Sequence, residues 1–340
     1  MKGLDGIDLG SMRSMVAAFP QLLVAGRLDG TLEQNASRAS RRGIRGLCLC
    51  GIGGSAIAGE ISRSLVIDES PIPVLITRDY SIPAAVGKDW AVIVTSYSGN
   101  TEETLSSFEM AAARKATVLN ITAGGELARR AKAGTTHLIP EGLQPRAALP
   151  LVFCGLHTLV ETLVDLAKTD FEAISRKLSR SAESWGKKGQ SPGDLARMLG
   201  NSIPLFAGCK HLAAVAYRAK CQICENTKGV SMWSEMPEAS HNEIEASASY
   251  LDHSIVPIFL RSRYEEKRMA RRLDAVSEIY SDMGCRPVRV MVDAESSVEE
   301  ALAMTHYLDT VSVELADIRG VDSLRVDRIA DLKARLARPH

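Results

Sequence analysis

The sequence predicts an α/β protein of two domains, each a parallel sheet flanked by helices, with a helix closing the C-terminus. Three observations predict it. Short, near-continuously apolar runs alternate with helical periodicity, as in parallel strands covered on both faces. Two of these runs end on Gly- or Ser-rich turns that open the next helix. The second half also looks like a degraded copy of the first: Ala207-Gly208-Cys209-Lys210-His211-Leu212 follows a strand as Cys50-Gly51-Ile52-Gly53-Gly54-Ser55 does, and duplication is the simplest account.

Residues 1–42 read as a helical segment, with Met12, Met15, Val16, Phe19, Leu22 and Leu23 on one stripe. In the first domain, 43–150, strands are predicted at 46–51, 72–77, 91–96, 116–122 and 136–140, and helices at 55–66, 101–115 and 126–133. Helical periodicity then gives a connector, 151–190, whose end, Gly186-Lys187-Lys188-Gly189-Gln190-Ser191-Pro192, reads as a hinge. The second domain, 191–320, carries strands at 203–207, 255–260 and 287–293 and helices at 212–227, 238–246, 265–283 and 298–318. An amphipathic helix over 326–336 lies in the closing segment, 321–340.

At 340 residues the chain exceeds one ordinary compact core. Its 41 basic and 41 acidic residues balance, so no overall field draws it to nucleic acid or an anionic membrane. Arg261, Arg263, Lys267, Arg268, Arg271 and Arg272 read as a solvated helix face partly balanced by Glu265, Glu266 and Asp274. Seven cysteines, with Cys48, Cys50, Cys154 and Cys209 in apolar stretches, predict free buried thiols in a reducing cytoplasm. There is no signal-peptide pattern and no run of the roughly 20 apolar residues that would span a bilayer. Cys221 and Cys224 have half a metal motif, but no second pair follows and packing explains them better; no metal or cofactor is expected.

The chemistry concentrates in two loops. Ser96-Tyr97-Ser98-Gly99-Asn100-Thr101-Glu102-Glu103-Thr104 follows an apolar strand, turns at Gly99-Asn100 and opens a helix. Hydroxyls and free backbone N–H groups converge there at the positive end of a helix dipole, a setting for phosphate. Gly51-Ile52-Gly53-Gly54-Ser55 follows another strand, and its glycines let the main chain approach a ligand. Ser55, Ser96, Ser98, Thr101 and Thr104, with Gly54, are the candidate phosphate ligands. One such loop reads equally well as an ordinary helix cap; two in register favour phosphate.

With these residues in hand, the chain resembles the bifunctional phosphoglucose/phosphomannose isomerases, a family within the sugar isomerase (SIS) group. The resemblance rests on the two loops together with Pro145-Arg146, Glu225-Asn226-Thr227-Lys228, His241-Asn242-Glu243 and Leu332-Lys333. It implies two SIS domains, a homodimer, no metal, and isomerisation of glucose 6-phosphate, with mannose 6-phosphate also accepted, to fructose 6-phosphate through a cis-enediol. It further implies that Glu225 is the base, and that His241 reaches the partner subunit's site to open the sugar ring, with Lys333 the other ring-opening residue. A single carboxylate can move one proton between neighbouring carbons on one face of an enediol. Without the resemblance, Glu225 reads as a surface residue near a helix end, His241 as a structural histidine and Lys333 as solvated. Arg146, in the stretch joining the domains, suits stabilisation of the enediolate oxygens, or an interdomain ion pair, or both. Residues 321–326 are expected to hold groups that sense the configuration at C2. Two alternatives remain: a sugar-phosphate sensor without catalysis, and another phosphosugar-processing SIS enzyme.

Overall fold

The computed structural model describes residues 4–187 and 189–336. Residues 1–3, 188 and 337–340 lie outside the described residues, and with them one residue of the predicted hinge and the extremes of both terminal segments.

The first sheet contains β1 (Gly46–Cys50), β2 (Val74–Thr77), β3 (Trp90–Thr95), β4 (Thr117–Thr122) and β5 (Thr136–Leu138), all parallel, in the order β2-β1-β3-β4-β5. β1 and β3 are buried at every position, which is why they read as unbroken apolar runs. The second sheet contains β6 (Ile203–Cys209), β7 (Met232–Met236), β8 (Ile255–Leu260) and β9 (Val288–Val290), again parallel, in the order β7-β6-β8-β9. Both sheets reverse their winding beside the first strand, between β1 and β3 and between β6 and β8. Such switch points form crevices at the carboxyl ends of the strands.

The duplication extends to single backbone positions. The helix Gly54–Val66 begins after Gly53 at φ 58°, ψ −128°, and the helix His211–Gln222 begins after Lys210 at φ 48°, ψ −127°. The same turn has been kept with a glycine in one half and a lysine in the other.

Several expectations change. The connector is no loose linker: the helix Leu149–Leu163 is buried almost all round and packs on Gly54–Val66 and on the N-terminal helices. One apolar cluster runs through it from Met12 and Phe19 to Phe206, Leu212 and Leu308. Within the predicted hinge, Ser191 caps a helix, Pro192–Leu199, through a reciprocal box with Asp194. β7 was not predicted, because Met-Trp-Ser-Glu-Met buries only its serine and final methionine. The predicted helix 238–246 is two 3₁₀ turns, Glu238–His241 and Glu243–Ser249. Arg261 is no solvated helix residue; it lies before the helix Lys267–Asp282, largely buried between Glu265 and Asp274. The cysteines are free, and Cys48, Cys50, Cys154, Cys209 and Cys285 are buried. Among the described residues, no helix is long and apolar enough to cross a membrane.

The long helix Ser297–Ile318 carries His306 against the N-terminal segment, stacked on Phe19 at 5.1 Å and tilted against Trp185 at 5.0 Å. Burial pushes this imidazole down to about 4, opposed only by the Val16 backbone. Its proton therefore binds preferentially to the unfolded chain, so stability should fall as pH drops below 6.5 and level off near 4. The loss from this group is about 3 kcal/mol. His306→Phe keeps the stack and should flatten this part of the profile, measured by urea unfolding at pH 7 and 4.5. A second test uses the repeated turn. Gly53→Ala meets no neighbouring atom yet forces a strained φ, and should cost about 1–3 kcal/mol. Lys210→Gly relieves the same strain, loses only exposed pairs with Asp68 and Glu266, and should gain on the order of 1 kcal/mol.

Candidate active site

The parallel register sets Cys50 beside Val94, so the glycine turn after β1 and the serine loop after β3 leave the sheet side by side. A Cβ on Gly51 would lie 3.1 Å from the Thr95 carbonyl oxygen. Ser55 is buried in the first turn of Gly54–Val66, whose N-terminus carries no side-chain cap. In the serine loop, Ser96 Oγ accepts from the Gly99 N–H at 3.1 Å and donates to Thr101 Oγ1 at 3.2 Å, while Ser98 Oγ accepts from the Asn100 N–H. Thr101 precedes the helix Glu102–Ala113 without capping it through its side chain.

The loop is held from behind. Tyr97 OH donates to the Pro140 carbonyl and accepts from the Leu143 N–H, each at 3.0 Å. Gly99 has φ 70°, and any Cβ there would lie 1.8 Å from the Gly124 carbonyl oxygen. Thr104, in the first turn of its helix, is buried with its hydroxyl unpartnered. Two adjacent helix N-termini without side-chain caps and an orphaned hydroxyl suit an anion with several acceptor oxygens.

The facing wall comes from the second half. The helix His211–Gln222 widens into a π-turn, Ile223–Thr227, which carries Glu225. Its side chain is 34% exposed, with Oε2 3.8 Å from Arg146 Nη1. Arg146 is 4% exposed. Its Nε donates to Asn226 Oδ1 at 2.7 Å, and its Nη2 donates to the carbonyls of Ser323 and Leu324. Burial lowers this guanidinium from the ordinary arginine range, and Glu225 pulls it back up. The segment 321–326, expected near the sugar, thus reaches the site through its backbone.

Glu225, Arg146, Gly53 and Gly54 line one cavity of about 60 Å³ between the halves. Arg78, Tyr217, Arg218, Cys221 and Gln222 also line it; of these the sequence singles out only Cys221, as a packing residue. A signal was present for most of them: Tyr217, Cys221 and Glu225 recur at four-residue spacing, and Arg78 directly follows β2. Arg78 lies over the Tyr217 ring, 5.1 Å from its centre, joining the two walls. A larger hollow of about 270 Å³ lies elsewhere, beside Cys154 and Glu161. Its rim cations are already paired, Arg27 with Glu172 and Lys168 with Glu33.

His241 and Lys333 do not line this cavity. His241 is exposed at the end of its 3₁₀ turn, 3.5 Å from Arg272 Nη1. Lys333 is exposed on the helix Asp327–Leu336, which has no buried residue.

The corresponding corner of the second half is filled from within. Glu300, fully buried, accepts from Ser262 Oγ, from the Arg263 N–H at 3.0 Å and from His211 Nε2 at 2.8 Å. Ser262 and Arg263 follow β8 as the serine loop follows β3, and His211 begins the helix after β6.

Paired parallel sheets with open loops at their switch points define a doubly wound α/β protein of two similar halves, and its matches place it in the sugar isomerase (SIS) class. Residues 190–336 match the bacterial phospho-glucose isomerase C-terminal SIS domain. A bifunctional phosphoglucose/phosphomannose isomerase of Aquifex aeolicus is 32% identical over 296 residues, covering 86% of this chain and 90% of that one. One from Caldicellulosiruptor bescii is 33% identical over 300 residues, with 85% and 88% covered. Among solved structures, the C-terminal domain of glucosamine-fructose-6-phosphate aminotransferase from Francisella tularensis shares the fold, with a TM-score of 0.73 at 12% identity over 95% of this chain and 99% of that one. The chain belongs to the bifunctional phosphoglucose/phosphomannose isomerase family, whose members are aldose–ketose isomerases.

Thr104→Val tests the anion corner. Removing an orphaned buried hydroxyl should stabilise the ligand-free protein by about 1 kcal/mol. The same change should weaken the protection that inorganic phosphate gives against thermal unfolding.

Proposed function

We propose that this protein interconverts glucose 6-phosphate or mannose 6-phosphate with fructose 6-phosphate through a cis-enediol, and that Glu225 carries the proton. The observation that carries this reading is Glu225 facing Arg146 across 3.8 Å at a cavity bordered by Gly53 and Gly54. Glu225 removes the C2 proton of the open-chain aldose and returns it to C1, while the hydroxyl proton passes from O2 to O1. Arg146, already fixed by Asn226 and two carbonyls, offsets the negative charge that develops on those oxygens. Ser55, Ser96, Ser98, Thr101 and Thr104 hold the 6-phosphate by hydroxyls, with backbone N–H groups from Gly54 onward.

The place of His241 supports a homodimer: it is exposed and lies outside the cavity that Glu225 lines. From there it enters the partner subunit's site and opens the ring. Lys333 joins it there if the last helix folds over the site. The seven free thiols support a reducing cytoplasm as the location.

The test is NMR of the purified protein with fructose 6-phosphate in deuterated water. Glucose 6-phosphate and mannose 6-phosphate should both appear with deuterium at C2. Ligand binding without turnover would replace this reading with that of a sensor. Glu225→Gln should abolish exchange while inorganic phosphate still binds; exchange at the wild-type rate would remove Glu225 as base. His241→Ala should process an open-chain analogue better than the cyclic sugar, and equal loss on both would end its ring-opening role.

A further inference from the structure

A buried polar ring lies directly behind the Glu225–Arg146 pair. Asp309, on the helix Ser297–Ile318, accepts from Arg218 Nε at 3.0 Å and from Arg218 Nη2 at 2.6 Å. Arg218 Nη2 also donates to the backbone carbonyl of Arg146 at 2.9 Å. Arg146 Nε donates to Asn226 Oδ1, Asn226 Nδ2 donates to Ser312 Oγ at 2.8 Å, and Ser312 Oγ donates to the Asp309 carbonyl at 2.6 Å. The ring closes on itself across three elements. Asp309, Arg218, Asn226 and Ser312 are each no more than 2% exposed.

Two guanidiniums thus meet at one cavity, and Asp309 is the carboxylate bound to Arg218. Arg218 acts on Arg146 as a like charge. Burial raises Asp309 above the usual carboxylate range and Arg218 draws it back down; two short bonds to a permanently charged fork hold it ionised. A buried pair of this kind is weak evidence of stabilisation, since apolar packing of similar volume often does as well. Its form here is specific: it neutralises Arg218 and leaves Arg146 as the cation facing Glu225.

We propose that Asp309 is a positioning residue for the isomerisation, which holds Arg218 away from the substrate and, through Arg218, Asn226 and Ser312, sets the place and charge of Arg146 opposite Glu225. This rests on Glu225 being the base. The other charged groups about Glu225 are Lys228 and Arg78, with Asp322 acting on both Arg146 and Lys228 and the Cys221 thiol one turn below. None of them bonds to Asp309.

Asp309→Asn keeps the shape and removes the charge. The site then gains one uncompensated positive charge, which favours the ionised form of Glu225. The test is the pH profile of kcat and KM for fructose 6-phosphate isomerisation. In Asp309→Asn, kcat should fall by about 10²-fold, the scale of a misplaced catalytic group, with KM nearly unchanged. The acid limb of kcat/KM should move to lower pH. A wild-type kcat, or a loss that leaves the acid limb in place, would overturn the proposal. Ser312→Ala opens the ring at its other side without touching any charge, and serves if the asparagine variant does not fold. It should lower kcat at unchanged KM and leave the acid limb where it was; wild-type kcat in it would overturn the proposal equally. Glu225→Gln separates the two readings. If it retains proton exchange, the base assignment fails by itself; if exchange is lost but Asp309→Asn has an unmoved acid limb, only the positioning role fails.

Discussion

Arg146 is gripped from three directions, and the meeting of the two halves depends on that grip. Its carbonyl is held by Arg218, its Nε by Asn226 and its Nη2 by the carbonyls of Ser323 and Leu324. These partners belong to the helix after β6, to the π-turn and to the segment after the long helix. A guanidinium with several donors in a rigid plane can bind separate elements at once, whereas an ammonium on a flexible stem fixes none of them in orientation. Arg146 also leads into Leu149–Leu163, the helix through which the apolar core continues from one half to the other. The same residue therefore follows the last strand of the first sheet, anchors the second half and faces Glu225.

Both loops of the proposed anion corner follow from sheet topology. Parallel strands aim their carboxyl ends the same way, and the reversal of winding between β1 and β3 keeps the space between their loops open. The facing wall uses a different device. A π-turn widens the helix at Ile223–Thr227 and gives Glu225 a direction that a regular helix would not.

Much of this was legible in the sequence because it is local. Buried parallel strands show as apolar runs, and the loop 96–104 shows its hydroxyls, its turn and its helix start within nine residues. The remainder depends on contacts distant in sequence. Met232–Met236 becomes a strand only because β6 pairs with it, and its alternation is too short to stand out alone. Charge was the other obstacle. Arg218 and Asp309, 91 positions apart, look like two solvated residues until the fold buries each against the other. Arg261 misled differently: its partners Glu265 and Asp274 are near in sequence and stand out there, but the burial of Arg261 with Glu265 was not legible. The placement of Arg146 near Glu225 was carried by the family resemblance, since nothing local joins positions 146 and 225.

The two halves have parted in how their corresponding corners gain negative charge. In the second, Glu300 supplies it permanently, and folding alone completes the bonds to Ser262, Arg263 and His211. In the first, the matching corner holds two helix N-termini without side-chain caps and the unpartnered Thr104 hydroxyl, so an anion bound there would add stability in proportion to the logarithm of its concentration. Because one apolar core joins the halves, that gain would be shared by the whole molecule and would resist unfolding at sites far from the ligand.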